Sequence, residues 1–198
     1  MRFAPVLALS FLASPVVLGA QARDSVARSP SYWPRLGYGV ATSLLLHETA
    51  HVLTGIALGG HPTFGFDRLR PTFFSGISVR DHPRKQFWYS ASGLLSQSLL
   101  DEGLLDIPHK RGSAFERGLL GGGIGTAVFY LTIGRSGSVS DAEFMMRTHV
   151  LSRNQITLLF GGIAAIHAFR LSRDEHYASF FVGPRNGGLD LGVELTRF

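Results

Sequence analysis

The chain has 198 residues, no cysteine, 45% hydrophobic residues and a formal net charge of +5 at pH 7. Without cysteine it can form neither disulfide bonds nor thiolate metal sites, so any metal ion must be bound by histidine and carboxylate side chains. The 19 Lys and Arg residues are scattered between apolar stretches and form no continuous basic stripe, which argues against a nucleic-acid-binding protein.

The N-terminal segment is typical of a secretory signal peptide. Met1-Arg2 precedes an apolar run from Phe3 to Gly19, and Ala20-Gln21-Ala22 fits an A-x-A cleavage site. We therefore expect residues 1–22 to direct export and the mature chain to begin near Arg23. An uncleaved signal anchor is the alternative, because the charged start contains a single basic side chain. Either form predicts a location in a bacterial-type cell envelope, at the inner membrane.

Four apolar stretches in the rest of the chain predict helices. The first is long enough to cross a bilayer at about 1.5 Å per residue. We therefore expect residues 23–175 to form an all-α, polytopic helical membrane domain with about four apolar helices. A soluble or peripheral helical domain is the alternative, because the mean hydropathy is only +0.17. The four stretches are Leu36 to Leu58, Gln86 to Leu100, Gly118 to Ile133 and Ile156 to Phe169.

The C-terminal segment has a different pattern, with a period of two residues. Leu189, Leu191 and Val193 alternate with polar or small residues after the turn-forming sequence Gly183-Pro-Arg-Asn-Gly-Gly. This pattern predicts a short β-hairpin at residues 176–198, packed on the helices or covering a site. The terminal Phe198 is similar to the last residue of outer-membrane barrels, but no comparable set of alternating strands precedes it.

The first apolar stretch contains the sequence His47-Glu48-Thr49-Ala50-His51, an HExxH motif. Two histidines four residues apart stand on one face of a helix, so both imidazoles can bind the same metal ion. Glu48 lies further round the helix and can reach a water molecule on that ion. The motif therefore predicts half of a zinc hydrolase site, with two ligands and a general base.

A catalytic zinc ion normally has three protein ligands and a water, so the third ligand must come from elsewhere in the chain. The metzincin pattern is excluded, because Ala57 stands where its third histidine would be. Asp141 is the favoured candidate, although it is also an ordinary first-turn acid behind the capping box that Ser140 and Glu143 form. The other candidates are Asp101, Glu102, Glu116 and His61.

The motif helix, a Gly59-Gly60 step after it and an aspartate after a third apolar segment together resemble the site-2 protease-like membrane zinc metallopeptidases. The resemblance implies that the two histidines and Asp141 bind Zn²⁺ and that Glu48 activates water. The segment from Ser92 to Gln97 is similar to the family's G-P-x-x-N segment, with Gln97 in place of Asn and without the proline. Asp141 is followed by Ala142 and not by the family's usual glycine.

These features predict a membrane-embedded zinc metallopeptidase in contact with membrane lipid, acting on a peptide or membrane-protein substrate. In the expected reaction, zinc-activated water attacks the peptide carbonyl while Glu48 accepts its proton. The competing hypothesis is a non-enzymatic membrane or envelope protein with a structural or vestigial HExxH helix. Such a protein would have no third ligand near the two histidines and no room for water beside them.

Overall fold

The computed structural model describes residues 30–67, 70–133, 140–174, 176–177, 179–185 and 188–194. The predicted signal peptide at residues 1–22 and the terminal Phe198 lie outside these residues. The described part contains five helices and two separate antiparallel hairpins. In chain order the elements are α1 (Tyr32–Ala57), β1 (Thr63–Asp67), β2 (Arg70–Phe74), α2 (Pro83–Asp106), α3 (Ala114–Leu131), α4 (Asp141–Arg147), α5 (Arg153–Arg173), β3 (Ser179–Arg185) and β4 (Gly188–Glu194).

Helices α1 and α3 lie unusually close together because small residues face each other along their contact. A Cβ atom at Gly118 would lie 2.9 Å from the Cα of Gly39, and one at Gly122 would lie 2.7 Å from the Cβ of Ser43. Glycine at these positions lets the two backbones approach each other directly. The same contact holds the motif-bearing face of α1, with His47 and His51, toward the interior.

The main apolar core lies between α2, α3, α4 and α5. Met145 of the short helix α4 is fully buried in it, and Ala142 packs there as well. The Ser140 hydroxyl accepts a hydrogen bond from the Glu143 amide at 3.3 Å, so α4 begins at Asp141. Core burial and this cap together set the position of Asp141. The largest other core side chains are Phe87, Leu94, Leu131, Ile156 and Phe160.

The prediction of a polytopic membrane protein with about four spanning helices is wrong. Among the described helices only α5 is long and apolar enough to cross a membrane. Helix α1 contains His47, Glu48 and His51 at its middle, and α3 carries Glu116 and Arg117 in its first turn, so the mean hydropathy of each is too low for a membrane span. Helix α2 buries much of its surface, polar side chains included, against other helices.

Of the two hairpins, one was expected from the sequence and the other was not. Strands β3 and β4 pair from Ser179↔Glu194 to Arg185↔Gly188, within the segment where a hairpin was expected. Strands β1 and β2 were not predicted, and they lie between the first and second apolar stretches. The Tyr89 hydroxyl donates a hydrogen bond to the carbonyl oxygen of Phe73 at 2.8 Å, which attaches the β1–β2 hairpin to α2.

Candidate metal centre

Three predicted ligands meet at one point between α1 and the start of α4. The side chains of His47 and His51 are buried, with 1% and 4% of their surface exposed. Asp141 Oδ2 lies 2.8 Å from His47 Nε2 and 3.2 Å from His51 Nε2. The two Nε2 atoms are 3.1 Å apart. Each residue thus directs one potential ligand atom to a common centre.

The residues at this centre suit a metal ion. Ligand atoms around tetrahedral zinc lie about 3.4 Å apart for bond lengths of about 2.1 Å, so the three observed separations are shorter than this spacing by about 0.2 to 0.6 Å. Gly93 of α2 faces the ligands, and a Cβ atom there would lie 2.5 Å from His47 Nε2 and 2.6 Å from His51 Nε2. Glycine therefore keeps this space open, and His47, His51 and Asp141 form a group that can hold a metal ion.

The opposite nitrogen of each imidazole is held by an acceptor on α2. His51 Nδ1 donates to the carbonyl oxygen of Tyr89 at 2.7 Å. His47 Nδ1 donates to Gln97 Oε1 at 2.9 Å, and the Gln97 amide in turn donates to the hydroxyl of Ser43 at 2.9 Å. Because Nδ1 donates to an α2 acceptor in both rings, Nε2 is the nitrogen left for a metal ion, which would displace the hydrogen that Nε2 shares with Asp141.

The electrostatics of the centre favour a positive charge between the ligand atoms. Burial alone would raise the pKa of Asp141, but the charge of His51 and hydrogen bonds from both histidines hold it below its usual range. Burial alone would lower the pKa of His51, but the carboxylate of Asp141 and the hydrogen bond to Tyr89 raise it to about 9. Such a field stabilises a bound cation.

A cavity of about 260 Å³ opens beside the centre. His51, Asp141 and Glu48 line it, so the predicted general base shares the space with two of the predicted ligands. Glu48 is only partly buried, which leaves its carboxylate accessible from the cavity. The volume accommodates water and part of a larger ligand. The lining also includes the apolar residues Phe73, Phe74, Ile77, Val79 and Phe144.

Two of the other candidate ligands are engaged elsewhere. Glu102 accepts hydrogen bonds from His167 Nε2 at 2.8 Å and from Arg170 at 2.9 Å. Glu116 accepts from the amide of Gly112 at 2.7 Å, from His109 Nε2 and from the Tyr177 hydroxyl. These carboxylates hold structural contacts far from the histidine pair.

The remaining two candidates also lie away from the centre. Asp101 is buried on α2 against Gly123 of α3, and its Oδ2 is 3.7 Å from His167 Nδ1. Burial raises the pKa of Asp101 to about 8. His61 is exposed between α1 and β1. Among the described residues, Asp141 is the one carboxylate that joins His47 and His51 in a group that can hold a metal ion.

Sequence reasoning missed part of the environment that α2 provides. Gly93 and Gln97 entered only through a segment with a family resemblance, and Tyr89 only as part of the second apolar stretch. All three stand at four-residue intervals and so occupy one face of α2, the face that meets the histidines. The sequence signal that could have identified this face was Gln97, a polar residue between Ser96 and Ser98 in an apolar stretch.

Comparison of the chain with protein-family models, curated proteins and solved structures found no significant match.

Proposed function

We propose that this protein is a zinc-dependent peptidase in which His47, His51 and Asp141 bind the metal and Glu48 is the general base. The observation that carries the proposal is the convergence of two Nε2 atoms and one carboxylate oxygen, all within 4.8 Å of one another. They meet beside a cavity that Glu48 also lines. A purely structural metal site has no need of an adjoining cavity with an acid in it.

A zinc ion held there would polarise a peptide carbonyl and lower the pKa of a water molecule to near neutrality. Glu48 accepts the proton of that water while the water oxygen forms a bond to the carbonyl carbon. The protonated Glu48 then delivers the proton to the amide nitrogen as the carbon–nitrogen bond breaks. The products are a carboxylic acid and an amine, and Glu48 regains its charge.

The walls of the cavity suggest the class of substrate. Phe73, Phe74 and Phe144 contribute apolar surface to the lining, in addition to the charged groups at the metal centre. We therefore propose a peptide substrate with an apolar side chain next to the bond that is cleaved. A substrate anchored in a membrane would present such a segment.

The proposed location is a membrane of the cell envelope, reached through the N-terminal export segment. Helix α5 supports this location, because only 22% of its most apolar window is buried against the protein. Its exposed residues include large apolar side chains that would be stabilised by contact with lipid. These are Leu158, Leu159, Ile166 and Phe169.

The test of the proposed function is Glu48→Gln, which keeps the volume of the side chain but cannot accept a proton. Zinc content is measured on purified protein, and cleavage of a peptide library in lipid vesicles is followed by mass spectrometry. We expect about one zinc per chain in both proteins, and a rate that falls by roughly two to four orders of magnitude in the variant. Glu102→Gln is the matched control, because Glu102 lies outside the cavity, and it should keep both zinc and activity.

Equal products at equal rates in wild type and Glu48→Gln would show that Glu48 is not a base. Zinc in both proteins without any cleavage would favour the non-enzymatic hypothesis. Loss of zinc in Glu102→Gln would contradict the assignment of Asp141 as the third ligand.

A further inference from the structure

Two tyrosines line the cavity beside the metal centre, one on each flanking helix. The ring of Tyr89 on α2 is centred 5.2 Å from the ring of His51. The ring of Tyr130, in the last turn of α3, is centred 5.7 Å from the ring of His47. Both phenols therefore stand next to the group that can hold a metal ion.

The hydroxyl groups of these two tyrosines differ in their contacts. The Tyr89 hydroxyl donates its hydrogen to the carbonyl oxygen of Phe73, so it is committed to the β1–β2 hairpin. Within the part of the chain that the structure describes, the Tyr130 hydroxyl has no hydrogen-bond partner. Partly buried phenols normally have such a partner, so Tyr130 is a donor available to a ligand in the cavity.

Three other polar side chains of the cavity lining are hydrogen-bonded to one another. The hydroxyl of Ser75 donates to Gln86 Oε1 at 2.5 Å, and Gln86 Nε2 donates to the hydroxyl of Ser90 at 3.2 Å. Ser75, Gln86 and Ser90 thus form a chain of hydrogen bonds, whereas the Tyr130 hydroxyl takes part in none within the described residues. The Tyr130 phenol is therefore available to donate a hydrogen bond to a negative charge that forms in the cavity.

We propose that Tyr130 is a catalytic residue whose phenol donates a hydrogen bond to the oxyanion formed on the scissile carbonyl. The inference rests on the proposed peptidase function. As the water oxygen bonds to the carbonyl carbon, the electron pair of the C=O π bond moves to the carbonyl oxygen, which becomes negatively charged. The phenol stabilises this charge without giving up its proton, and releases the oxygen when the carbonyl re-forms and the carbon–nitrogen bond breaks.

The fold holds this donor in place before any substrate arrives. Tyr130 packs against the apolar core between α2, α3, α4 and α5. Helix α3 is itself fixed on α1 by the close contacts at Gly118 and Gly122. A donor on a rigid helix needs little reorganisation during the reaction, which is the condition for effective oxyanion stabilisation.

The test compares Tyr130→Phe with wild type in the zinc-loaded protein. Three quantities are measured: zinc affinity, kcat and KM on the best peptide substrate, and the Kd of a phosphonamidate analogue of that peptide. The tetrahedral, anionic phosphonamidate imitates the oxyanion, whereas the plain peptide imitates the ground state. If no peptide is cleaved, an N-acetyl Leu-Leu peptide and its phosphonamidate are used for the binding measurement.

We expect Tyr130→Phe to keep zinc affinity and KM, to lose about 100- to 1000-fold in kcat, and to bind the phosphonamidate at least tenfold more weakly. Binding of the plain peptide should change less than twofold. Tyr89→Phe should instead lower thermal stability, because its hydroxyl holds the hairpin. Tyr38→Phe, on the exposed surface of α1, should match wild type in every measurement.

An active wild type with unchanged kcat in Tyr130→Phe would overturn this inference and leave the proposed function intact. Equal weakening of phosphonamidate and plain peptide would also overturn it, because that result assigns Tyr130 a structural role. A wild type that binds no zinc and cleaves no peptide would refute the proposed function and this inference together.

Discussion

The substitution Gly93→Ala tests the metal centre most directly, because it adds one methyl group at the point where the ligands meet. The new Cβ would lie 2.5 Å from Cε1 and Nε2 of His47 and 2.6 Å from Nε2 of His51. Favourable contacts between such atoms lie at about 3.5 Å or more, so the rings and the methyl group must separate by roughly 1 Å.

The required movement is large for a metal site, where ligand distances hold to within about 0.2 Å. The rings are held from behind by Gln97 and the carbonyl of Tyr89, so they cannot retreat without breaking those hydrogen bonds. We therefore expect zinc affinity to fall by about 10- to 100-fold. This is the usual loss when a residue that holds a metal ligand in place is removed. Overpacking should also lower the free energy of unfolding by about 1–3 kcal/mol.

The assay is competition for zinc against a chromophoric chelator, combined with urea unfolding of the metal-free protein. Gly103→Ala is the matched control on the same helix, because the nearest atom to its new Cβ is 3.9 Å away. It should keep full zinc affinity and gain about 0.5–1 kcal/mol of stability, since alanine is the better helix former. Zinc affinity within twofold of wild type in Gly93→Ala would refute the proposed geometry.

Three further predictions concern groups around or beyond the centre. Gln97→Leu removes the acceptor of His47 Nδ1 and should weaken zinc binding about 10- to 100-fold in the same competition assay, and unchanged affinity would contradict its supporting role. Burial raises the pKa of Asp101 from 3.8 to about 8, so the folded state binds the extra proton and stability falls as the pH rises between these values. Asp101→Asn should remove that fall in urea unfolding at pH 5 and pH 8, and a pH dependence equal to wild type would exclude the explanation. Glu116→Gln weakens the acceptor shared by Gly112, His109 and Tyr177 and should cost about 1–3 kcal/mol in thermal unfolding, whereas an unchanged melting temperature would show that the charge is dispensable.

Local patterns in the sequence predicted the parts of the site that depend on local structure. The HExxH spacing places His47 and His51 on one helix face, and the capping box at Ser140 predicts the helix that begins at Asp141. The meeting of His47 with Asp141, 94 residues later, depends on how α4 packs into the core. A resemblance to a family pointed to Asp141, but the spacing of residues alone left four other candidates open.

The error about membrane spans has a physical cause. A hydropathy pattern records which segments are apolar, but it does not say whether protein or lipid covers them. Phe87 and Leu94 of α2 pack against other helices and not against a bilayer. The strands β1 and β2 were missed because they are short. A strand of five residues shows too little periodicity to be distinguished from a loop.

Because Asp141 lies on α4 and the two histidines lie on α1, a bound metal ion would link these two helices. The backbone of α4 lies beside α2, α3 and α5, and among the described residues its link to α1 runs through Asp141 and the two histidines. A bound ion would join two elements 94 residues apart, and at 100 times its Kd would add about 2.7 kcal/mol to the folded state. On the proposed assignment, the metal-free protein joins this seven-residue helix to α1 through the hydrogen bonds of Asp141, while Met145 stays buried in the core. The strength of the connection between α4 and α1 would then vary with the supply of zinc.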